Sequence, residues 1–399
     1  MQSLTTQLVV PFIALFFCLL NSLAFAEFNH PGVAYSSQRF HFVRTQIKMQ
    51  KQPWRDAWQE LKSSRYSSLE WQPAPFAHVE RGPYGDPDIG ASEFSRDSRA
   101  AHHHALCWAI TGDEKHARKV AEILNAWSQK LISVRNHDAK LLIGMSGYGY
   151  VVSAEILKHT WNKWPKGDQQ RFEAMLRNVW FPIIKDFYPS ANGNWDASMM
   201  QVMIAMGIFL DDQKMFDRAV DYYRHGKGNG AIGNYFKKTG QCQETGRDQA
   251  HTQMGLEFLA NTCESAWIQG VDLYGELDNR LLAGFEYTAK YNLGYEVPYE
   301  PYLSFEGRYH YKKISDDSRG KLRPMYEKVL NHFSNRKSLK APFTNQAALK
   351  LRTPSGKLNP KSGKTSERNR ARNHFPNKSY LDTLMFGGTP QMKTTQPSK

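Results

Sequence analysis

Apolar residues recur at spacings of three and four along most of the chain, and polar stretches such as "TGD", "PKGD" and "DDQ" separate these runs. Side chains at these spacings share one face of a helix, so each run predicts a helix. The predicted helices span 38–63, 93–111, 114–131, 140–160, 168–180, 195–210, 212–225, 247–269, 277–290 and 320–335. No stretch shows a sustained strand alternation, although "GYEVPYEPYLSF" is compatible with an extended backbone.

Neighbouring predicted helices pair across short polar turns, as at "AITGDEKHA" and "GIFLDDQKMF". Stacked antiparallel pairs build a solenoid or, where the stack closes, an α/α toroid. We therefore predict an all-α chain whose residues 27–352 form an α/α toroid, an incomplete α/α barrel. Loops on a rigid scaffold commonly carry function, so the long irregular stretches between pairs are predicted groove walls. These stretches are 72–92, 188–194, 226–246 and 294–318.

The first 26 residues contain no Lys, Arg, Asp or Glu and hold the apolar run "LVVPFIALFFCLL" before "SLAFA". This pattern predicts a signal peptide, residues 1–26, cleaved after Ala26, and hence a periplasmic or secreted protein. Because the segment lacks a positively charged side chain, an uncleaved anchor remains the alternative. Beyond it, no apolar run approaches the roughly 20 residues that span a bilayer.

The net charge of +14 is partly local, because residues 354–399 carry nine Lys and Arg against two acidic residues. This composition predicts a basic, disordered tail over 353–399, in which only the apolar segment "YLDTLMFGG" is expected to dock. The excess of positive charge suggests a polyanionic partner, with a solvated basic surface as the alternative. Apart from the tail, no basic helix interleaved with aromatic residues favours nucleic acid. An acidic polysaccharide is therefore the expected partner, and the oligomeric state stays open.

Two stretches place polar residues where buried helices begin. "GNWDASMM" puts Asn194 and Trp195 at the entry of a very apolar helix, where Asn194 could cap the helix or meet an anion, and Trp195 could support a sugar ring. "ETGRDQAHTQMG" places Glu244, Arg247 and His251 at spacings of three and four. They form either a stabilising ion network or a set of donors that neutralises an acidic ligand.

Two further stretches are rich in ionisable side chains. "FEGRYHYKK" places Arg308, Tyr309, His310 and Tyr311 in a predicted loop, where a tyrosine beside a cation can act as an acid or base, or simply anchor the loop. "AHHHALCW" resembles a metal tract. Consecutive residues of a helix point in different directions, however, so a structural role is favoured for these histidines.

Several catalytic signatures are absent from the sequence. It contains no G-x-S-x-G elbow, phosphate-binding loop, dinucleotide fingerprint or H-E-x-x-H motif. After loss of Cys18 with the signal peptide, three cysteines remain, and their spacing fits neither a disulfide framework nor a zinc motif.

These blocks together resemble the alginate lyase superfamily of polysaccharide lyases, and most closely the branch of glucuronan and alginate lyases, polysaccharide lyase family 38. The resemblance runs from about residue 82 to residue 335. It is carried by "GDPDIGASEF", "LLIGMSGYGYVVSAEIL", "NGNWDASMMQVMIAMGIFLDD", "GQCQETGRDQAHTQMGLEFLANTCESAWIQGVDLYG" and "YTAKYNLG", together with "AITGDEKHARKVAEILNAWS". It implies an α/α toroid, in agreement with the helical hairpins.

The resemblance also implies β-elimination on a uronate-containing polysaccharide, without a metal or organic cofactor. Donors on the sugar carboxylate stabilise the developing enolate, a base removes the C5 proton, and an acid protonates the leaving oxygen. The implied catalytic residues are Tyr309, His251, Asn194 and Arg247, with Tyr302 and Tyr311 as rivals of Tyr309. The implied substrate contacts are Trp195, Glu244, Arg308 and Tyr148.

Two other functions are compatible with the sequence. A glycoside hydrolase on the same fold needs two opposed carboxylates, for which Asp196 and Glu244 are candidates. A non-catalytic protein that binds acidic polysaccharide is the second alternative, supported by the basic tail. Which uronan is cut, and whether cleavage is endolytic or exolytic, is not readable from the sequence.

Overall fold

The computed structural model describes residues 27–352 and 380–388. The first half of this part holds the helices α1 (Ser37–Lys48), α2 (Trp54–Ser63), α3 (Ala91–Thr111), α4 (Glu114–Lys130), α5 (Ala139–Leu142), α6 (Tyr148–Thr160), α7 (Lys166–Met175) and α8 (Phe181–Ile184). A π-helical turn joins α5 to α6, and another joins α7 to α8.

The second half holds α9 (Gly193–Phe209), α10 (Gln213–His225), α11 (Ile232–Tyr235), α12 (Gln249–Ile268), α13 (Glu276–Asn292), α14 (Tyr326–Leu330), α15 (Pro342–Arg352) and α16 (Tyr380–Phe386). The predicted helices agree with these bounds except at two places. The predicted helix 38–63 is two helices, because the chain turns at 49–53 ahead of Pro53. The prediction for 320–335 also began too early, since α14 begins only at Tyr326 and passes into a π-helical turn.

The helices form two layers, as an α/α toroid requires. α3, α6, α9 and α12 pack on one another in sequence, and each of α3, α9 and α12 also packs on the helix that follows it. Every residue of α9 is buried, whereas α4 and α10 have one buried and one exposed face. A helix that is apolar all round belongs inside, and an amphipathic one belongs outside.

Short strands form the walls beside the helix ends. β1 (His78–Arg81) pairs antiparallel with β2 (Asp88–Ile89) and parallel with β3 (Ser133–Arg135), and β4 (Tyr302–Leu303) pairs antiparallel with β5 (His310–Tyr311). All five are shorter than the runs that periodicity detects. Two of the predicted groove walls, 72–92 and 294–318, therefore contain strand.

The segment "YLDTLMFGG" forms α16, which packs against α2, α14 and α1. It thereby closes the ring between the first and last helices. Leu384 and Met385 are fully buried, and the Tyr380 hydroxyl lies 2.8 Å from His103 Nε2. The rest of the predicted tail, 353–379 and 389–399, and the predicted signal peptide, 1–26, lie outside the described residues.

The three consecutive histidines meet three different partners, as the sequence predicts for a structural role. His102 contacts the Tyr35 hydroxyl, His103 contacts Tyr380, and His104 Nδ1 lies 2.7 Å from His116 Nδ1. Burial lowers the pKa of all three, to between about 3 and about 4. They are therefore neutral packing groups at neutral pH. Cys107, Cys242 and Cys263 are buried and free.

Candidate active site

The N-termini of α9 and α12 lie side by side, because the loop before α12 reaches across to α9. The Asn194 N–H donates to Glu244 Oε2 at 2.9 Å, and the Gly193 N–H donates to Gln243 Oε1 at 2.9 Å. Gly193 permits this approach, since a Cβ there would stand 2.3 Å from the Tyr235 ring. Side chains at both helix starts therefore belong to one site.

Glu244 is the buried centre of this site. Its carboxylate accepts from the Asn194 N–H, from the Tyr235 hydroxyl at 2.8 Å and from Arg247 Nη1 at 2.8 Å. Burial raises the pKa of Glu244, whereas Arg247 and His251 oppose that shift. Because these three donors occupy both of its oxygens, Glu244 serves to position Arg247 and the α9 start.

Part of the Arg247 side chain is exposed, while the buried Glu244 carboxylate holds its guanidinium. Despite its burial, the nearby carboxylates of Glu244 and Asp248 raise the pKa of Arg247, so its charge is secure. Asn194 is only 1% exposed, and neither polar atom of its amide has a hydrogen-bond partner among the described residues. A buried unpaired amide is costly, and the backbone N–H of this residue shares the Glu244 carboxylate with Arg247. The pair is suited to receive a carboxylate.

His251 is oriented by the residue that caps its own helix. Asp248 Oδ1 accepts from the His251 N–H at 2.7 Å, and Asp248 Oδ2 lies 2.6 Å from His251 Nδ1. Burial opposes ionisation of Asp248, but its hydrogen bonds to His251 keep the pKa of this carboxyl below its usual value. With the Nδ1 proton held by the carboxylate, Nε2 is left as the basic atom of a side chain that is 37% exposed.

The loop from β4 to β5 forms the opposite wall and separates the three candidate tyrosines. The Tyr302 hydroxyl donates to the Asn234 carbonyl of α11 and not to a residue at the start of α9 or α12. The Tyr311 hydroxyl donates to Asn192 Oδ1 at 3.0 Å, just before the α9 start. Gly246 allows this, since a Cβ there would stand 2.5 Å from the Tyr311 Cβ. Tyr309 stacks on Tyr311 with ring centroids 6.2 Å apart.

The electrostatics also couple Tyr311 to the site. Burial and the charge of Glu244 raise the pKa of Tyr311 to about 12, against the opposing effect of Arg247. At neutral pH the phenol is therefore protonated and able to donate. The structure thus brings the hydroxyl of Tyr311, the rival candidate, to Asn192 at the start of α9, while the preferred Tyr309 lies beside Tyr311 and next to Arg308.

The predicted substrate contacts have different surroundings. Arg308 is exposed and reaches across to Tyr188, whose hydroxyl lies 3.3 Å from Arg308 Nη1. Trp195 is only 9% exposed, and its ring packs edge-on against His137 and Tyr188 at centroid distances of 5.3 and 5.4 Å. Trp195 therefore supports these two side chains more than it offers an open face to a sugar.

Tyr148 lies apart from the other predicted residues. It lines a cavity of about 420 Å³ between α3, α6, α12 and α16, which Gln201 also lines from α9. Gln201 lies seven residues after Asn194, about 10 Å further along α9. Asn194, Arg247, Glu244 and His251 do not line this cavity. Burial raises the pKa of Tyr148 well above its usual value.

His137 is a functional candidate that the sequence analysis missed. It is half-exposed, its Nδ1 lies 2.7 Å from Asp138 Oδ1, and Arg81 Nε lies 3.9 Å from the other oxygen of that carboxylate. The signal available in the sequence was the motif "NHD", which stands immediately before an apolar helix. The strand that precedes this motif is only three residues long. His137 and Arg81 thus add an imidazole and a guanidinium to the β1–β3 wall of the groove.

Asp196, one of the two candidate carboxylates for glycoside hydrolysis, is buried beneath the groove. It has no exposed surface and accepts from the Tyr188 N–H and the Tyr222 hydroxyl, each at 2.8 Å. Burial raises the pKa of Asp196 to about 6. Since Glu244 is equally inaccessible, these two carboxylates do not face each other across open space as hydrolysis of a glycoside requires.

Comparisons with known proteins identify the fold and the family. A model described as alginate lyase matches residues 51–297, and a search of the curated proteins returns no match. Among solved structures, alginate lyase A1-III from Sphingomonas species A1 is 12% identical over 78% of this chain and 91% of its own, with a TM-score of 0.57. An alginate lyase from Bacteroides ovatus is 13% identical over 80% and 97%, with a TM-score of 0.53.

A variant of alginate lyase A1-III complexed with a tetrasaccharide has a TM-score of 0.56 at 13% identity, over 76% of this chain and 89% of its own. The family model, together with the shared α/α toroid, defines a polysaccharide lyase. The matched family model covers more than half of the residues, including both helix starts of the site, and the chain belongs to the alginate lyase family.

Proposed function

We propose that this protein cleaves alginate by β-elimination in the groove at the starts of α9 and α12. The observation that carries the proposal is the unpaired, buried amide of Asn194, whose backbone N–H shares the Glu244 carboxylate with Arg247. The Asp248-oriented His251 belongs to the same helix start as these partners. This arrangement supplies carboxylate neutralisation and a base together. The alginate lyases among the structural neighbours support the choice of polymer.

In the proposed reaction, Asn194 and Arg247 bind the uronate carboxylate and stabilise the charge that develops when the C5 proton leaves. His251 Nε2 accepts that proton, and the electron pair of the C5–H bond forms the C4–C5 double bond as the C4–O bond breaks. The protonated Tyr311 donates its proton to the departing oxygen. Exchange with water returns the proton from His251 and restores the Tyr311 phenol.

Arg308, Tyr188 and His137 are proposed contacts to neighbouring sugars along the groove. Arg308 bridges from the β4–β5 loop to Tyr188, which with Trp195 and His137 forms an aromatic wall before α9. Cations and aromatic faces are the groups that bind acidic sugar rings. Since the exposed Arg308 holds no carboxylate in the described structure, its charge is available to a second uronate.

The test is an ultraviolet time course on separate mannuronate, guluronate and mixed alginate blocks, with glucuronan and glycosaminoglycans as further polymers. A rise on alginate blocks establishes elimination, because the unsaturated uronate product is conjugated. A rise on glucuronan alone would replace alginate with the other polymer that the sequence resemblance implies. New reducing ends without absorbance would contradict elimination altogether.

We further propose that the protein is exported, in agreement with the polymeric substrate. The support is the uncharged apolar segment 1–26 ending in "SLAFA". In the described residues, no helix is long and apolar enough to cross a membrane. N-terminal sequencing of protein from the native cells tests this proposal: a start at Glu27 is expected, and an intact Met1 would contradict cleavage.

A further inference from the structure

A cluster of ionisable side chains lies at the other end of the toroid from the groove. It consists of His30 before α1, Glu155 and His159 on α6, and Asp211 immediately after α9. Along α9, the 17 residues from Asn194 to Asp211 span about 25 Å. The proposed elimination uses none of these four residues.

The cluster contains a buried carboxylate that is incompletely paired. Glu155 is 1% exposed, and its Oε1 accepts from the Gly32 N–H at 2.8 Å and lies 2.7 Å from His30 Nδ1. Its Oε2 is buried and has no hydrogen-bond partner among the described residues, and the same is true of His159 Nε2, 3.5 Å away. Unpaired polar atoms in the interior cost free energy unless a ligand satisfies them.

The arrangement of donors around His30 indicates what that ligand is. His30 Nε2 lies 3.0 Å from Asp211 Oδ1, so a proton on Nε2 is held by this carboxylate. In the tautomer with this proton on Nε2, the lone pair of His30 Nδ1 lies on the side of Glu155, 2.7 Å from its Oε1. A cation could then be bound by this nitrogen and by the unpaired Oε2 of Glu155. The outer Asp211 matches the carboxylates that orient metal-binding histidines.

We propose that His30 Nδ1, Glu155 Oε2 and His159 Nε2 bind a divalent transition-metal ion, with Zn²⁺ as the favoured ion. One ligand atom from each residue lies within 4.8 Å of the others. Two imidazole nitrogens and one carboxylate oxygen are a ligand set typical of zinc, and a fourth position is open to water. The spacing of Glu155 and His159 places both on one face of α6.

Binding requires a local change in the two rings. His30 and His159 stack in parallel, with centroids 3.9 Å apart and planes 3° from parallel. A bound ion lies near the plane of each imidazole that ligates it, so the rings must tilt toward each other. This movement draws the ligand atoms to the spacing set by bonds of about 2.0–2.2 Å.

The ion would fasten the start of the described chain to the toroid. Gln269 already binds this segment, through the Asn29 N–H at 2.8 Å and the Gly32 carbonyl at 3.0 Å. A metal bond to His30 adds an attachment to α6, and metal binding to the folded state alone stabilises that state. The role is structural, so it is independent of the proposed elimination.

The competing arrangement needs no metal: a protonated His30 between Glu155 and Asp211, with a neutral His159 stacked on it. Chelator-treated, untagged protein is titrated with Zn²⁺ by calorimetry, and bound zinc is counted by elemental analysis after gel filtration. We expect one equivalent bound and a melting temperature raised by several degrees. Absence of stoichiometric zinc from the folded protein would establish the metal-free arrangement instead.

Variants assign the ion to this cluster. His159→Ala and Glu155→Gln are expected to lose the bound equivalent, whereas Gln269→Ala weakens the same segment without removing a ligand and should retain it. His225→Ala, an exposed histidine elsewhere, controls for surface binding. Should the first two fail to fold, Asp211→Asn at an exposed position should weaken zinc binding by about 10- to 100-fold. Unchanged zinc affinity in these cluster variants would overturn the proposal.

Discussion

At the scale of single residues, the site depends on buried groups that hold exposed ones. Glu244 holds Arg247, Asp248 holds His251, and Asn192 holds Tyr311. Glu244, Asp248 and Asn192 are largely buried, so the side chains that they bind are oriented before substrate binds. Such preorganisation is the main source of electrostatic stabilisation in an active site.

The two neighbouring tyrosines give the sharpest residue-scale prediction. Tyr311→Phe should lower kcat by at least about 100-fold with little change in polymer binding, because it removes the proposed proton donor. Tyr309→Phe keeps the stacked ring and is the matched control, with an expected change below about tenfold. Ultraviolet initial rates and KM for both variants decide between them. The reverse order of effects would return the acid role to Tyr309, as the sequence resemblance implied.

Asp248 both orients His251 and caps α12, and a substitution to asparagine can separate these two roles. In Asp248→Asn, the side chain can still cap α12, but the amide no longer fixes the Nδ1 proton of His251. We expect kcat to fall by about 10- to 100-fold, with stability changed by less than about 1 kcal/mol. Asp113→Asn at the N-cap of α4 is the control, since it removes a capping carboxylate far from the groove. A loss of stability that accounts for the lost activity would assign Asp248 a capping role only.

At the scale of elements, α16 is a short helix that completes the ring. Its buried side chains fill the gap between α14 and the first two helices, and Arg39 donates to the Gly388 carbonyl just beyond it. Leu384→Ala should lower the free energy of unfolding by about 2–4 kcal/mol, because it leaves a cavity at a fully buried position.

Leu381→Ala on the same helix is the control for Leu384→Ala, since Leu381 is only partly buried and a smaller loss is expected. Denaturant unfolding measures both variants. A chain truncated after Arg352 tests the whole helix. If it unfolds at the same denaturant concentration as the full protein, α16 does not stabilise the ring.

The apolar spacing of the sequence predicted the long helices but not the short elements. The long helices α3, α4, α9 and α12 carry either a clear apolar face or an apolar surface all round, and their positions follow from local spacing. The break near Pro53 has a local cause, because proline does not continue a helix, but apolar spacing alone does not register it. The two-residue strands β4 and β5 are too short for any periodicity to register.

At the scale of the whole molecule, ring closure introduces a dependence on pH. Burial raises the pKa of Asp382 on α16 to about 7; the nearby Lys328 opposes the shift, whereas Glu327 and Glu257 increase it. A carboxyl with a higher pKa in the folded state binds more protons there than when unfolded. Its contribution to stability is therefore lost as pH rises from about 4 through 7.

Asp382→Asn removes this ionisation and tests the pH dependence. The gain in stability of the variant over the native protein should be larger near pH 8 than near pH 5, by roughly 2–3 kcal/mol for a pKa displaced from about 4 to about 7. Denaturant unfolding of both proteins at the two pH values measures the difference. A difference that is the same at both would show that Asp382 does not titrate in this range.

The arrangement of helical hairpins, and the family to which the chain belongs, followed from the order of residues along it. Apolar spacing is a local property, and the blocks around Asn194 and His251 are continuous in sequence. The choice among Tyr302, Tyr309 and Tyr311, the separation of Tyr148 and the burial of Trp195 required the folded chain. Each depends on which distant group a side chain meets, as Tyr311 meets Asn192 across 119 positions. Local spacing carries no information about such contacts, because the packing of the whole toroid brings them together.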